Sequence, residues 1–232
     1  MSFKLYSVLT GCALLTLQSA LAQPSGQHPI LDLAHQKARI EQSYTARYSF
    51  EMTYQDNDFQ AQAHVNPTRP QGSRLEVMHP AKSEWSNDFK DMLRQLDDDP
   101  YEEFWCTDFL ALVGPDAHPV MQDGNAVIFA FTPQAGPDDD ADDRKFLAEM
   151  IAHITIDNTT GAIHKFEMRN RRPFKPIFIA KIKSFQMQVQ CQAAPDGRFY
   201  VADLRTNLSA KIALKKVEEH EQRTIFNLTL PR

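Results

Sequence analysis

The residues of this chain best suited to hold a metal or move a proton near neutral pH are its eight histidines. His28, His35, His64, His79, His118, His153, His164 and His220 are scattered. No two stand four apart on a helix or two apart on a strand, the spacings that aim a pair of imidazoles at one ion. His153 and His164 come nearest, because a hairpin through Asp157-Asn158-Thr159-Thr160-Gly161 can bring them together. Partnered surface histidines are the simpler reading. The acidic run Asp138-Asp139-Asp140-Ala141-Asp142-Asp143 lacks the sixth-position glycine of a calcium loop. It reads instead as a solvated loop whose charge favours the start of a following helix.

Motifs that would make the chain an enzyme are missing. There is no Gly-x-Ser-x-Gly elbow, no His-Glu-x-x-His, no P-loop and no Gly-x-Gly-x-x-Gly. The expectation is a non-enzyme without metal or cofactor, with a hydrolase lacking a recognisable motif as the minor alternative. Cys106 and Cys191 either pair, closing a loop of about 85 residues, or stand as two separate buried thiols. Arg169, Arg171, Arg172, Lys175, Lys181 and Lys183 concentrate positive charge. They form the wet face of a strand, or a contact for an anionic head group or an acidic partner. A net charge of −5 argues against nucleic acid as the partner.

Bulky, adaptable side chains remain. Tyr48, Phe50, Met52, Trp85, Phe89, Met92 and Phe129 make either an ordinary core or the lining of an apolar cavity.

Several elements must position them. Lys4, the apolar run Val8–Leu17 and Ala20-Leu21-Ala22 read as a cleaved signal peptide, residues 1–22, leaving one domain over 23–232. Export to the periplasm follows. Leu9-Thr10-Gly11-Cys12 offers lipid attachment at Cys12 as the lesser alternative. A helix is expected over 30–44, with Ile30, Leu33, Ala34, Ile40 and Tyr44 on its apolar side. Residues 45–55 then alternate over eleven positions, roughly 36 Å of strand. They turn at Asp56-Asn57-Asp58 and resume with Phe59, Ala61, Ala63 and Val65. Ser83 is the expected N-cap of a helix over 83–97, whose stripe is Trp85, Phe89, Met92, Leu93 and Leu96. A short helix over 144–151 follows the acidic run. Within 177–191 the apolar residues change parity, Phe178, Ala180 and Ile182 against Phe185, Met187, Val189 and Cys191. A bulge near 183–184 is the physical consequence. The sum is an α+β domain: a large curved antiparallel sheet of about ten strands, an open half-barrel, with about three helices over its concave face.

The order of these parts resembles the periplasmic lipoprotein carrier family, the LolA/LolB-like fold. The matching pieces are the first helix and hairpin, Arg69-Pro70, the strand 74–78 ending near Pro80, and Ile128-Phe129-Ala130-Phe131-Thr132-Pro133. The acidic segment and Ile156-Asp157-Asn158-Thr159-Thr160-Gly161-Ala162-Ile163 complete the series. The resemblance implies an open half-barrel that accepts acyl chains under a helical lid, with Arg69 helping to hold the lid. It implies a monomer whose partner is a lipid or the acyl chain of a lipoprotein. The alternative is an envelope structural or sensor protein of the same fold that meets a protein partner through Arg171, Arg172 and Lys175.

Overall fold

The computed structural model describes residues 28–101, 104–137, 139–177, 179–213 and 215–230. The signal peptide over 1–22, Cys12 and Phe178 lie outside the described residues.

Strands dominate, and all pair antiparallel. In chain order they are β1 (Ser49–Gln55), β2 (Gln60–Val65), β3 (Leu75–His79), β4 (His118–Asp123), β5 (Ala126–Phe131), β6 (Met150–Asp157), β7 (Ile163–Asn170), β8 (Phe174–Ile177), β9 (Ala180–Ala193), β10 (Phe199–Ile212) and β11 (Lys215–Thr229). One sheet takes them in the order β3-β2-β1-β11-β10-β9-β7-β6-β5-β4, with β8 added beside β9. β3 and β4 do not pair with each other, so the half-barrel is open. Three α-helices are described: α1 (Pro29–Glu41), α2 (Asn87–Asp98) and α3 (Ala141–Ala148). A 3-10 helix spans Cys106–Leu112. The expected class and open half-barrel are thus observed. The strands that alternation did not announce are β4, exposed along its whole length, and the four-residue β8.

Boundaries moved for identifiable reasons. The first strand is seven residues, not eleven. Ahead of it, side chains take the carbonyls a neighbouring strand would have bonded: Arg198 donates to Ala46 O at 2.7 Å and Tyr101 to Tyr48 O at 3.0 Å. The inner face of α1 is Leu31, Ala34 and Glu41, while Ile40 and Tyr44 are exposed. Its backbone lies against the β6–β7 turn, where a Cβ on Gly161 (φ +70°) would come within 2.9 Å of the Leu33 carbonyl. Glycine is required there for both reasons. The N-cap of α2 is Ser86, whose hydroxyl accepts from Phe89 N at 3.1 Å, and not Ser83. The parity change in β9 is a bulge as expected. Ser184 faces Ser209 and Ile182 faces Ala210, which leaves Lys183 as the extra residue.

Two apolar cores share the sheet. One gathers α1, the 3-10 helix and α3 over β5, β6, β7, β9 and β10, and includes Phe109 stacked on Phe166 at 4.6 Å. The other gathers α2 and Phe104 over β1, β2 and part of β10.

The β6–β7 turn also makes a pH prediction. One Asp157 oxygen accepts from the backbone and hydroxyl of Thr159 (2.9 and 2.6 Å) and of Thr160 (2.7 and 2.9 Å). These bonds, the Thr159 hydroxyl foremost, hold its carboxyl far below the ordinary range. A carboxyl lowered on folding stabilises the fold above its unfolded pKa, about 4. That contribution is lost as pH falls toward the folded value. Urea denaturation at steps from pH 5 to pH 2 is expected to show a steep acid decline. Asp157→Asn keeps an accepting oxygen but not the titration, so it flattens the decline by up to about one proton.

Candidate functional site

Helix α2 turns Phe89, Leu93 and Leu96 onto the sheet, at spacings of four and three that place them on one side. Phe89 meets Phe59 at 5.0 Å, Tyr54 at 5.6 Å and Trp85 at 5.7 Å. Below it lie Tyr48, just ahead of β1, and Phe50, Met52 and Tyr54 of β1, all at most 1% exposed. Trp85 and Met92 are half-buried at the rim, and the Trp85 indole donates to Pro80 O at 3.0 Å. Six of the seven expected lining residues therefore lie together beneath or beside α2. Phe129 does not join them. It belongs to the other core, edge-on to His28 at 5.0 Å.

Phe104 closes the floor beside the strands. Its ring meets Trp105 at 4.8 Å, Phe50 at 5.0 Å, Tyr101 at 5.2 Å and Tyr200 at 5.9 Å. Burial pushes the Tyr101 phenol up to about 12, and its hydroxyl donates to the Tyr48 carbonyl.

Polar groups fasten the margins. Arg198, 5% exposed, lies with its guanidinium 3.7 Å from the Trp105 ring centroid. It also pairs with Asp196 at 2.8 Å. Burial alone would raise the Asp196 carboxyl, but the Arg198 side chain and backbone N–H offset that and hold it below its usual value. At the far end of α2, Arg74 donates to the carbonyls of Asp97 (2.6 Å) and Asp98 (3.0 Å). Gly72 N donates to the Asp97 carboxylate at 2.6 Å, and Gln71 donates to Asp98. Cationic donors on the last carbonyls of a helix satisfy groups it leaves unpaired.

Arg69, the residue expected to hold the lid, is exposed, and its carbonyl accepts from Arg74 at 3.1 Å. The guanidinium on the helix end is that of Arg74. Arg74→Ala is accordingly expected to raise hydrogen exchange along α2 about tenfold, the loss of about 1.5 kcal/mol of charge-assisted bonding. Arg69→Ala should leave exchange in α2 unchanged; hydrogen-exchange mass spectrometry compares the two.

Other candidates lie elsewhere. Arg171 donates to the Thr132 hydroxyl at 2.6 Å, Arg172 pairs with Glu149 at 3.2 Å, and Lys175 is exposed. Cys106 and Cys191 form a disulfide with Cα atoms 6.3 Å apart. His153 and His164 are not brought together: His153 faces Glu167, and His164 lies edge-on to Phe199 at 5.1 Å. Among the described residues no three His, Cys, Asp or Glu side chains form a metal-sized group. Among them, too, no helix is long and apolar enough to cross a membrane. Spacing marks Phe104 as part of the aromatic cluster Tyr101, Phe104, Trp105 and Phe109 around Cys106, whereas Arg74 and Arg198 carry no such signal. Arg198 follows a Pro-Asp-Gly turn, and nothing local announces partners some 90 to 150 positions away at Trp105 and Ala46.

No family model matches the chain, and no curated protein matches it. A solved DUF1329 family protein from Desulfovibrio piger is similar at 12% identity and a TM-score of 0.32, over 90% of this chain and 94% of its own. A likeness that low carries no argument.

Proposed function

We propose that this is a periplasmic binding or carrier-like protein that holds an acyl chain or another apolar ligand between β1, β2 and helix α2. Its place would be in lipoprotein or lipid traffic to the outer membrane. The observation that carries this reading is the aromatic face of an open sheet, with Met52 among its rings, roofed by the twelve-residue helix α2. The resemblance of the chain's layout to the lipoprotein carriers points the same way. Because Tyr48, Phe50, Met52 and Phe89 are buried as the helix stands, a ligand enters only if α2 lifts. Ten buried methylenes release roughly 8 kcal/mol, which corresponds to micromolar affinity before ordering costs. Native mass spectrometry of the purified protein should show co-purifying lipid. After delipidation, a fluorescent fatty-acid probe should bind, and Arg74→Ala should speed its entry. Absence of both lipid and probe binding overturns the proposal.

Full burial of the same side chains favours a second reading, an envelope structural or sensor protein with a filled core that binds a protein partner through its basic surface. Arg171 and Arg172 have partners within the fold, so Lys175→Glu is the cleaner probe. A pull-down partner lost on that substitution, with no change in stability, supports it; a retained partner counts against it.

A further inference from the structure

Three adjacent strands carry lysine at facing positions. Lys181 of β9 faces Lys211 of β10, and Lys211 faces Lys216 of β11. Facing residues of antiparallel strands point to the same side with Cβ atoms roughly 5 Å apart, and like charges placed so destabilise a sheet. All three are exposed. The bulge residue Lys183 and the flanking Lys175 and Lys215 are exposed as well. From Arg171 to Lys183 and from Ser209 to Val217 the sequence contains no acidic residue. Glu218 pairs with Lys216 at 2.5 Å, whereas Lys175, Lys181, Lys211 and Lys215 form no ion pair among the described residues.

The same end of the sheet leaves aliphatic side chains in water. Ile177, the last residue of β8, and Ile179, in the β8–β9 connection, are 39% and 42% exposed; Ile177 pairs with Ala180, on the sheet face opposite Lys181, so lysines and isoleucines share the tip of the sheet. Ala213 of the β10–β11 connection donates its N–H to Ile179 O at 2.7 Å, which ties the two hairpin tips together. The cluster of cations opposes folding, and two exposed isoleucines add nothing to it, so this end is shaped by something outside the molecule.

Two features together select the partner. A small anion would use the lysines and leave the isoleucines idle. Protein interfaces are depleted of lysine and enriched in arginine, yet all six cations here are lysine. Lysine clusters beside exposed aliphatic side chains suit an anionic bilayer, where charge holds the surface and apolar groups enter the head-group boundary. We propose that the joined β8–β9 and β10–β11 tips dock on an anionic phospholipid bilayer. This surface is separate from the face beneath α2, so it stands or falls independently of the ligand proposed there.

Flotation of the purified, delipidated protein with phosphatidylcholine vesicles, with and without about 30% phosphatidylglycerol, tests it. The protein is expected to float with the anionic vesicles only, and less as salt rises. The triple variant K181S/K211S/K216S should lose about a hundredfold in apparent affinity. Since it removes mutual repulsion, its thermal midpoint should be no lower than that of the parent, which separates lost docking from lost folding. I177S/I179S should weaken binding at least about tenfold at unchanged charge. Equal binding to both vesicle types, binding to neither, or a triple variant that binds as the parent does overturns the proposal. Binding to soluble polyglutamate without vesicle binding also overturns it, and assigns the surface to an acidic protein.

Discussion

Replacing Cys106 and Cys191 together by alanine is expected to lower the unfolding free energy by about 4 kcal/mol, the loop-closure contribution of a bond spanning some 85 residues. The location of the bond adds to its length. Cys106 opens the 3-10 helix that carries Phe109 and Leu110 into the core over β5 to β7, and Cys191 lies on β9. Just before it, Val201 N donates to Phe104 O at 2.9 Å, and Trp105 bridges to Tyr200. Residues 104–112 thus form a strap across the sheet, and the disulfide is its covalent stitch. Equilibrium urea denaturation of the double variant, beside the parent with and without reductant, measures the loss. Reduction of the parent should reproduce the double variant to within the small cavity left by the two sulfurs. A change below about 1 kcal/mol in both would mean that the unfolded chain is not loosened by losing the bond.

Phe104→Ala should cost about 3–5 kcal/mol, the range for a fully buried phenylalanine cut back to its Cβ. The high end is expected because the vacated space cannot collapse easily. Four aromatic rings surround Phe104, and two of them, Phe50 and Tyr200, belong to strands fixed in the sheet. Phe104→Leu, which retains most of the volume, should cost less than half as much. The readout is the same denaturation, joined to hydrogen exchange. If the strap and α2 share one core, α2 amides lose protection in the alanine variant while those of β6 and β7 keep theirs.

Much of the fold was legible because alternation survives in the strands whose two faces differ. The hairpin through Asp56-Asn57-Asp58, the parity of β6 and the bulge at Lys183 were all readable from apolar spacing. β4 was not, since a strand exposed on both sides has no reason to alternate. The inner face of α1 departs from the apolar spacing because Glu41 is buried, 3.0 Å from Lys37, while Ile40 and Tyr44 stay in water. Six of the seven expected lining residues came together because Phe89 and Met92 lie on α2, Trp85 on the turn leading into it, and Tyr48, Phe50 and Met52 on the strand region beneath it. Phe129 sits on an equally apolar strand, and only the strand order, with β11, β10, β9, β7 and β6 between β1 and β5, separates it from the others. Long-range order of that kind leaves no mark in local spacing. Arg74 was eclipsed by Arg69 for a similar reason, since both flank the same loop and only the position of α2 decides which one reaches it.

The strap has a consequence for water. Phe104 points into one core and Cys106, two residues on, into the other, so the chain forms a bulkhead between two dry compartments built on a common hull. The compartment under α2 is roofed by Phe89, Leu93 and Leu96 and fastened at the end of the helix by the bonds of Gln71, Gly72 and Arg74. Its neighbour is sealed by α1, α3 and the covalent stitch. Flooding the first therefore need not sink the second, because the bulkhead is bonded to β10 and stitched to β9.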